Sequence, residues 1–203
     1  WFYAFLYLLL GALGLAVDLQ GEEHMPDLVA FLHDCQALLK PSGVISLVVP
    51  DKRYCFDHLR RRSSTGDILQ AHLESRSRHT PGQVFDHFSS ASKLGESGSW
   101  HRDATGKVGF VHPPVVAEGM LDRARNSQEY IDVHGWVFTP SSFRLVVADL
   151  NALGLLRLEE IAFTDTRDCE FFVSYANHAP TQAIDRLALS KAALHEERQA
   201  YFP

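Results

Sequence analysis

The stretch EEHMPDLVAFLHDCQALLKPSGVISLVVPDKRY, residues 22–54, decides the fold class of this chain. Its first half has apolar residues at spacings of three, four and seven, which predicts an amphipathic helix with Pro26 in its first turn. Residues 41–43, Pro-Ser-Gly, end that helix, and residues 44–50, VISLVVP, are apolar on both faces like a central strand of a parallel sheet. A helix that runs directly into such a strand predicts an α/β fold with helices on both faces of the sheet. The helix is expected to bury Leu28, Phe31, Leu32, Cys35, Leu38 and Leu39.

A second ordered region covers residues 132–176. Thr139 directly precedes Pro140, a pair typical of a helix start, and Gly154 is expected to end the helix. Residues 155–164 and 169–176 are strand-like runs joined by a polar connection, which predicts an antiparallel hairpin. Residues 177–203 are rich in alanine and leucine and predict a terminal helix. The helix after Thr139 is expected to bury Phe143, Val146, Val147, Leu150 and Leu153.

The intervening residues, about 55–132, are rich in Arg, His, Ser and Gly and have only short apolar runs. We interpret them as an insertion within a single domain that spans residues 23–176. Helices are predicted for GDILQAHLESR, residues 66–76, and for PPVVAEGMLDRARNSQEY, residues 113–130. Turns are predicted for RRRSSTG, residues 60–66, and for SSASKLGESGSW, residues 89–100.

Composition excludes several classes of protein. The chain has 203 residues, is 46% hydrophobic and carries a formal net charge of -6, which predicts one buried core and no direct nucleic-acid partner. The three cysteines, Cys35, Cys55 and Cys169, are odd in number and widely spaced. Because that pattern fits neither a disulfide framework nor a zinc knuckle, a reducing cytoplasm is the expected compartment.

The apolar segment at the start, residues 1–22, has three interpretations. Residues 1–17 carry no charge, as in a buried core segment. They are shorter than the roughly 20 residues of a membrane-spanning helix, yet such a segment could associate with a membrane or direct secretion. A truncated or shifted reading frame is the third interpretation.

The order of helix, Pro-Ser-Gly turn, strand, insertion, helix and hairpin resembles the carboxy-terminal half of a class I S-adenosylmethionine-dependent methyltransferase, from about Glu23 to Ala176. In that family a Glu-His pair follows the fourth strand, and a helix and a Lys-Pro-Gly-Gly-type turn lead into the fifth. The family's parallel sheet finishes with an antiparallel last strand. Ser42 stands where the first glycine of the turn is usual. VVPDKRYCFDH, residues 48–58, is similar to a narrower bacterial subgroup.

The resemblance implies a truncated Rossmann-like sheet, the cofactor S-adenosylmethionine, and a small-molecule or saccharide- or lipid-linked acceptor. The family's glycine-rich cofactor loop would lie upstream of Glu23, where only GALGLAVD, residues 11–18, offers glycines. Gly11 and Gly14 alone are a weak signal for such a loop. The chain is therefore expected to be a methyltransferase or an incomplete fragment of one. The alternative is a non-catalytic interaction or membrane-tethered protein on a degenerate methyltransferase scaffold.

Four residues are candidates for the site. The resemblance places Glu23 and His24 at the end of the fourth strand as cofactor-binding residues; a helix-start carboxylate and a surface imidazole are the alternative. Asp51 follows the fifth strand at the same rim, where it could orient a substrate. His134 precedes the second predicted helix and is a candidate general base for an acceptor hydroxyl, because the pKa of an unperturbed imidazole is near neutral. A partly buried structural histidine is the alternative for His134.

Other patterns in the sequence bear on metal and anion sites. Asp and His lie close together three times, in Asp57 with His58, Asp86 with His87, and Asp132 with His134. The two Phe-Asp-His copies are far apart in a loop-rich region, so no metal site is predicted. A basic group that could contact a phosphate, or else form a solvated surface, consists of Lys52, Arg53, Arg60, Arg61 and Arg62.

Overall fold

The computed structural model describes residues 7–11, 14–19 and 21–201, and it is an α/β fold. Its strands are β1 (Tyr7–Gly11), β2 (Gly14–Leu19), β3 (Val44–Pro50), β4 (Ser92–Leu94), β5 (Val108–Phe110), β6 (Glu159–Arg167) and β7 (Glu170–Ala176). Its helices are α1 (Leu28–Leu38), α2 (Thr65–Leu73), α3 (Pro81–Ser90), α4 (Pro114–Asn126), α5 (Pro140–Ala152) and α6 (Arg186–Tyr201). The main sheet has the order β1-β2-β3-β7-β6, and β4 pairs with β5 in a small separate sheet.

The stretch that decides the fold forms α1 and β3 as predicted. The helix begins at Leu28, two residues after Pro26, because the side chain of Asp27 caps it by accepting a hydrogen bond from the amide of Ala30. Leu28, Leu32, Cys35 and Leu39 are buried. The prediction that Leu38 is buried is wrong, since this side chain is 71% exposed.

β3 lies in the middle of the sheet, parallel to β2 and antiparallel to β7. Ile45 pairs with Tyr175 and Leu47 with Val173, and all four side chains belong to the core with apolar residues of α1, α2 and α5. On the opposite face Ser46 bonds to Ser174 at 2.9 Å, and Phe172 is 36% exposed. The described residues therefore place the core on one face of the sheet, where the sequence predicted helices on both.

The predicted hairpin and the helix before it are confirmed. β6 and β7 are antiparallel neighbours, and the turn between them contains Asp168 in a left-handed conformation with φ 54°. α5 buries the expected apolar stripe apart from Leu153, which is 59% exposed because it lies beyond the last helical turn. Gly154 follows with φ 73°, the left-handed geometry that favours glycine at a helix end.

The insertion is more ordered than its composition suggested. α2 and α4 lie where helices were predicted, and β4 falls within residues 89–100, which were expected to be turns. No element was predicted for most of α3 or for β5. α3 packs on α4 around a second small core made of Val84, Ala124, Ile131 and Val133.

The apolar start of the chain is described only in part. β1 and β2 form an antiparallel pair in which Gly11 lies opposite Gly14. The remainder of residues 1–20 lies outside the described residues, so the three interpretations of this segment stay predictions. Within the described ranges, no helix is long and apolar enough to cross a membrane.

Candidate functional site

The turn that follows β2 positions two of the four candidate residues. Gly21 has φ 110°, a left-handed conformation that breaks the strand direction. A short 3₁₀ turn over Glu22–His24 comes next and buries the side chains of Glu22 and Glu23. His24 is less enclosed, with 30% of its side chain exposed. The end of β2 therefore presents a buried carboxylate beside a partly accessible imidazole.

The segment before α5 brings His134 to this turn. The amides of Gly135 and Trp136 donate to the carbonyl oxygen of Glu23 at 2.7 and 3.2 Å. The indole Nε1 of Trp136 donates to the carbonyl of Met25 at 2.6 Å. His134 itself is 7% exposed. These backbone hydrogen bonds therefore position a buried His134 next to the turn.

Glu23, His24 and His134 meet side by side, and we call them the Glu-His-His cluster. Oε1 of Glu23 is 3.5 Å from Nε2 of His24 and 3.6 Å from Nε2 of His134. The two imidazole rings are edge to face, with centroids 4.6 Å apart. Oε1 of Glu23 therefore faces Nε2 of both imidazole rings. Three of the four residues singled out in the sequence thus converge.

Asp57 orients His134 from the other side. Nδ1 of His134 is 2.5 Å from Oδ2 of Asp57. Arg60 donates to Oδ1 of Asp57 at 2.7 Å and to the carbonyl of His134 at 2.8 Å. Burial alone would raise the pKa of Asp57, but the charge and hydrogen bond of His134, and then those of Arg60, outweigh it and hold this pKa at about 2.

The same environment makes His134 more basic. Burial favours the neutral imidazole, but the charge and hydrogen bond of Asp57, together with the charge of Glu23, outweigh burial and raise the pKa of His134. A neutral His134 that donates Nδ1–H to Asp57 has its lone pair on Nε2, the atom that faces Glu23. The ring is thus held with its basic nitrogen inside the cluster.

His24 is oriented in the same manner by a different carboxylate. Its Nδ1 lies 2.7 Å from Oδ1 of Asp132. The hydroxyl of Tyr130 donates to the carbonyl of His24 at 2.8 Å, and His79 donates to that carbonyl through Nε2 at 3.0 Å. Backbone and side chain of His24 are both fixed, and its Nε2 is turned toward Glu23.

Two further histidines line the cluster in their neutral form. Burial lowers the pKa of His79 and of His87 to about 4 in each case. Nδ1 of His87 accepts from the amide of His134 at 3.3 Å. These rings support the cluster sterically and through the backbone without adding charge near neutral pH.

Unpaired buried oxygens occur in the turn after β2. Within the described residues, Oε2 of Glu23 and both carboxyl oxygens of Glu22 are buried without a hydrogen-bond partner. Burial, followed by the charge of Glu23, raises the pKa of Glu22 well above its usual range. Burial therefore favours the neutral form of Glu22.

Asp51, the fourth candidate, lies elsewhere in the hydrogen-bond network. It is fully buried at the end of β3. Arg53 donates to it from the amide, from Nε and from the guanidinium Nη2, the last at 2.6 Å, and the hydroxyl of Thr166 donates at 2.6 Å. These contacts tie the strand end to the β6–β7 hairpin. Orientation of a substrate by Asp51 stays a prediction that the contacts leave untested.

The basic group predicted from the sequence is not a surface cluster. Lys52, Arg53 and Arg60 are buried, and Nζ of Lys52 donates to the carbonyl of His58 at 2.9 Å. Arg61, with 78% of its side chain exposed, pairs with Asp67. Three of its five members are therefore enclosed and engaged, while Arg60, Arg61 and Arg62 line one cleft. Contact of this group with a phosphate stays a prediction.

Sequence adjacency misidentified the partners of the aspartates. Asp57 pairs with His134 instead of His58, and Asp132 pairs with His24 instead of His134. The Asp-His associations were visible in the sequence, but the partners lie 77 and 108 residues apart. No local spacing signals contacts of that range.

Two clefts lie near these elements. One of about 440 Å³ is lined by Arg60, Gln83, Gly135 and Trp136 among others. It reaches Gly135, the residue after His134, but none of the three cluster residues lines it. A larger one of about 900 Å³ is lined by Tyr54, Trp100 and Arg102 among others. Both have mixed polar and apolar walls, which suit a hydroxyl-rich molecule better than a purely apolar one.

The glycines upstream do not fit a cofactor loop. Such a loop joins a strand to a helix whose amino terminus faces the ligand. Gly11 and Gly14 instead face each other across two antiparallel strands. A comparison of this chain with protein families, with curated proteins and with solved structures finds no match.

Proposed function

We propose that this chain carries the acceptor-activating part of an S-adenosylmethionine-dependent methyltransferase. The strand order supports the proposal, because β7 lies antiparallel between β3 and β6. The resembled family likewise ends a parallel sheet with an antiparallel strand. In this proposal the parallel β2–β3 pair, joined through α1, takes the place of the fourth and fifth strands of that family.

The observation that carries the proposal is the position of the Glu-His-His cluster. Glu23 and His24 directly follow β2, at the carboxyl end of a parallel strand pair. Ligands of open α/β sheets bind at that end. His134 is brought to the same place by its backbone and by Asp57. A basic nitrogen therefore stands where a cofactor and an acceptor would meet.

Methyl transfer requires few catalytic side chains from the protein. S-adenosylmethionine supplies an electrophilic methyl group, and the transfer is an in-line displacement that depends mainly on alignment. For a hydroxyl acceptor the protein must also help remove a proton. With no ion bound, Nε2 of His134 takes that proton, and Asp57 stabilises the resulting imidazolium.

The expected acceptor is a hydroxyl compound, and a saccharide or lipid-linked saccharide is the first class to test. The 440 Å³ cleft beside Gly135 offers Arg60 and Gln83 as polar groups and Trp136 as an aromatic wall. Sugars are bound by such combinations of hydrogen bonds and aromatic faces.

The test measures cofactor binding and methyl transfer separately. The full chain is titrated with S-adenosylmethionine by calorimetry, and then incubated with the methyl-labelled cofactor and a panel of saccharides and lipid-linked saccharides. In the presence of a chelator, transfer that falls about a hundredfold or more in His134→Gln, with cofactor affinity unchanged within a few fold, supports the role of His134 as the general base. No heat and no thermal shift at millimolar cofactor contradicts methyl transfer by this chain.

The pairing of Gly11 with Gly14 favours a second candidate, a non-catalytic scaffold. Among the residues that are described here, the antiparallel strand pair provides no helix amino terminus for the cofactor. A chain that folds, fails to bind S-adenosylmethionine and sediments with membrane vesicles would support this candidate over the enzyme.

A further inference from the structure

The interior of the Glu-His-His cluster is electrostatically unbalanced. Both imidazoles give their Nδ1–H to carboxylates, Asp132 for His24 and Asp57 for His134. Neutral rings oriented in this way present Nε2 lone pairs to Oε1 of Glu23. Three electron-pair donors thus point at one another, which costs free energy unless a proton or a metal cation lies between them.

The distances fit an ion better than hydrogen bonds. Oε1 of Glu23 is 3.5 and 3.6 Å from the two Nε2 atoms, beyond the range of a good N–H···O hydrogen bond. The three ligand atoms all lie within 4.8 Å of one another. Metal–ligand bonds of about 2.1 Å in a tetrahedral arrangement separate neighbouring ligands by roughly 3.4 Å. Small side-chain adjustments would bring all three atoms to that spacing.

The hydrogen bonds from the two histidines to Asp57 and Asp132 resemble those found around bound metal ions. Metal-ligating histidines commonly donate their other ring nitrogen to a carboxylate, which fixes the ring and increases its basicity. Both histidines here meet that description, each with its own aspartate. Oε2 of Glu23 is also buried without a hydrogen-bond partner in the described residues, so this carboxylate has unused ligand capacity.

A divalent ion would also balance the formal charge of the cluster and its outer partners. With both imidazoles neutral, the cluster and its outer partners contain three carboxylates, Glu23, Asp57 and Asp132, and one cation, Arg60. Their sum is two negative charges, which one divalent cation neutralises. Two imidazole nitrogens and one carboxylate oxygen suit first-row transition metals such as Zn²⁺, Fe²⁺ or Co²⁺ better than Mg²⁺ or Ca²⁺.

We propose that Glu23, His24 and His134 bind a divalent transition-metal ion, with Asp57 and Asp132 orienting the two histidines. Three protein ligands leave at least one coordination position for water or an acceptor oxygen. The exposed part of His24 gives the ion a path from solvent.

Acceptor activation by the ion rests on the proposed function, whereas metal binding does not. A bound hydroxyl becomes more acidic on a divalent ion. In the metal-bound protein Nε2 of His134 is a ligand, and the acidified hydroxyl loses its proton to solvent. Removal of the proton by His134 itself belongs to the metal-free protein.

The experiment titrates Zn²⁺ and Co²⁺ into the full chain, prepared without a histidine tag and freed of metal with a chelator. Calorimetry is expected to give one ion per chain, and the visible spectrum of Co²⁺ is expected to show nitrogen and oxygen ligands in fewer than six positions. Asp132→Asn, at a side chain that is 73% exposed, should weaken binding by roughly tenfold to a hundredfold. His24→Gln should weaken it further, because a ligand is lost.

His101→Gln, at an exposed histidine outside the cluster, is the matched control and should bind as the wild type does. Absence of binding at millimolar ion, or equal affinity in wild type and His24→Gln, would overturn the inference. The titrations contain neither cofactor nor acceptor. Metal binding without methyl transfer would therefore contradict only the proposed function. Methyl transfer that persists in chelator, together with absence of metal binding, would contradict only this inference.

Discussion

Nδ1 of His134 and Oδ2 of Asp57, 77 residues apart in the chain, are 2.5 Å apart in the protein interior. Asp57 also forms an ion pair with Arg60, and both side chains of that pair are almost fully buried. Asp57 therefore links the turn after β3 with the segment before α5. This single carboxylate orients the ring of His134 and neutralises the buried charge of Arg60.

Asp57→Ala is expected to be strongly destabilising. It leaves the guanidinium of Arg60 buried without its carboxylate, and removal of one partner of a buried pair costs about 3–5 kcal/mol in free energy of unfolding. Urea denaturation followed by circular dichroism measures the change. Asp103→Ala, at an exposed aspartate, is the control. A loss below about 1 kcal/mol would show that Arg60 finds another partner.

A charge at the centre of β3 tests the position of that strand. Leu47 is 1% exposed and packs in the core with Val173. Leu47→Asp buries an unpaired carboxylate, at a cost of several kcal/mol against a total stability of about 5–15. The variant should be unfolded or lose most of its thermal stability.

Thr164→Asp, at an exposed position of β6, provides the comparison and should retain a melting temperature near that of the wild type. Unchanged melting of Leu47→Asp in differential scanning calorimetry would place β3 at the surface and contradict the core described above.

Local patterns in the sequence predicted much of the sheet and its flanking helices. Residues 44–50 form β3 with the predicted bounds, because a β-branched apolar run between turn signals has few alternatives. Leu38 and Leu153 were predicted to be buried and are exposed, since periodicity cannot tell where the last turn of a helix leaves the core. α3 was missed because Thr80 and Pro81 start it inside a polar stretch with little apolar periodicity.

The site was predictable only as separate residues. Glu23, His24 and His134 were identified through the family resemblance and the position before α5. Their convergence depends on backbone bonds from Gly135 and Trp136 to Glu23, which no local pattern encodes. The proposed metal site was not predicted from the sequence for the same reason, because it requires one Glu and two His from distant segments.

The amino-terminal cap of α2 should make stability depend on pH. Ser64 and Asp67 form a reciprocal capping box, and Arg61 lies 3.3 Å from the carboxylate. Burial alone would raise the pKa of Asp67, but the hydrogen bonds from Ser64 and the charge of Arg61 outweigh it and lower the pKa. A carboxyl group with a lowered pKa in the folded state stabilises the protein above its unfolded pKa, and that stability is lost as pH falls through the folded pKa.

Asp67→Ala is accordingly expected to cost about 1 kcal/mol at neutral pH. The difference from wild type should shrink as pH falls below about 4, where the wild-type carboxylate takes up its proton. Urea denaturation at a series of pH values measures it, with Asp103→Ala as the reference. A difference that stays constant down to pH 3 or so would show that the charge of Asp67 contributes nothing.

Gly135 is expected to be irreplaceable beside the cluster. A Cβ atom at this position would lie 2.6 Å from Cε1 and Nδ1 of His79, closer than real contacts allow. The His79 ring is buried and donates to the carbonyl of His24, so Gly135→Ala must displace both the ring and the turn that carries the cluster. Crowding of this kind costs about 1–3 kcal/mol, and the affinity for Zn²⁺ should fall with it.

Gly119→Ala provides the matched control, since Gly119 lies within α4 and a Cβ there meets nothing within 4 Å. This change should stabilise the protein by about 0.5–1 kcal/mol, because alanine loses less backbone entropy in a helix. The double variant Gly135→Ala/His79→Ala should be less destabilised than the sum of its single changes, since the clash disappears with the ring. Strict additivity in urea denaturation would show that His79 does not mediate the effect, and wild-type stability and Zn²⁺ affinity in Gly135→Ala would contradict the close approach itself.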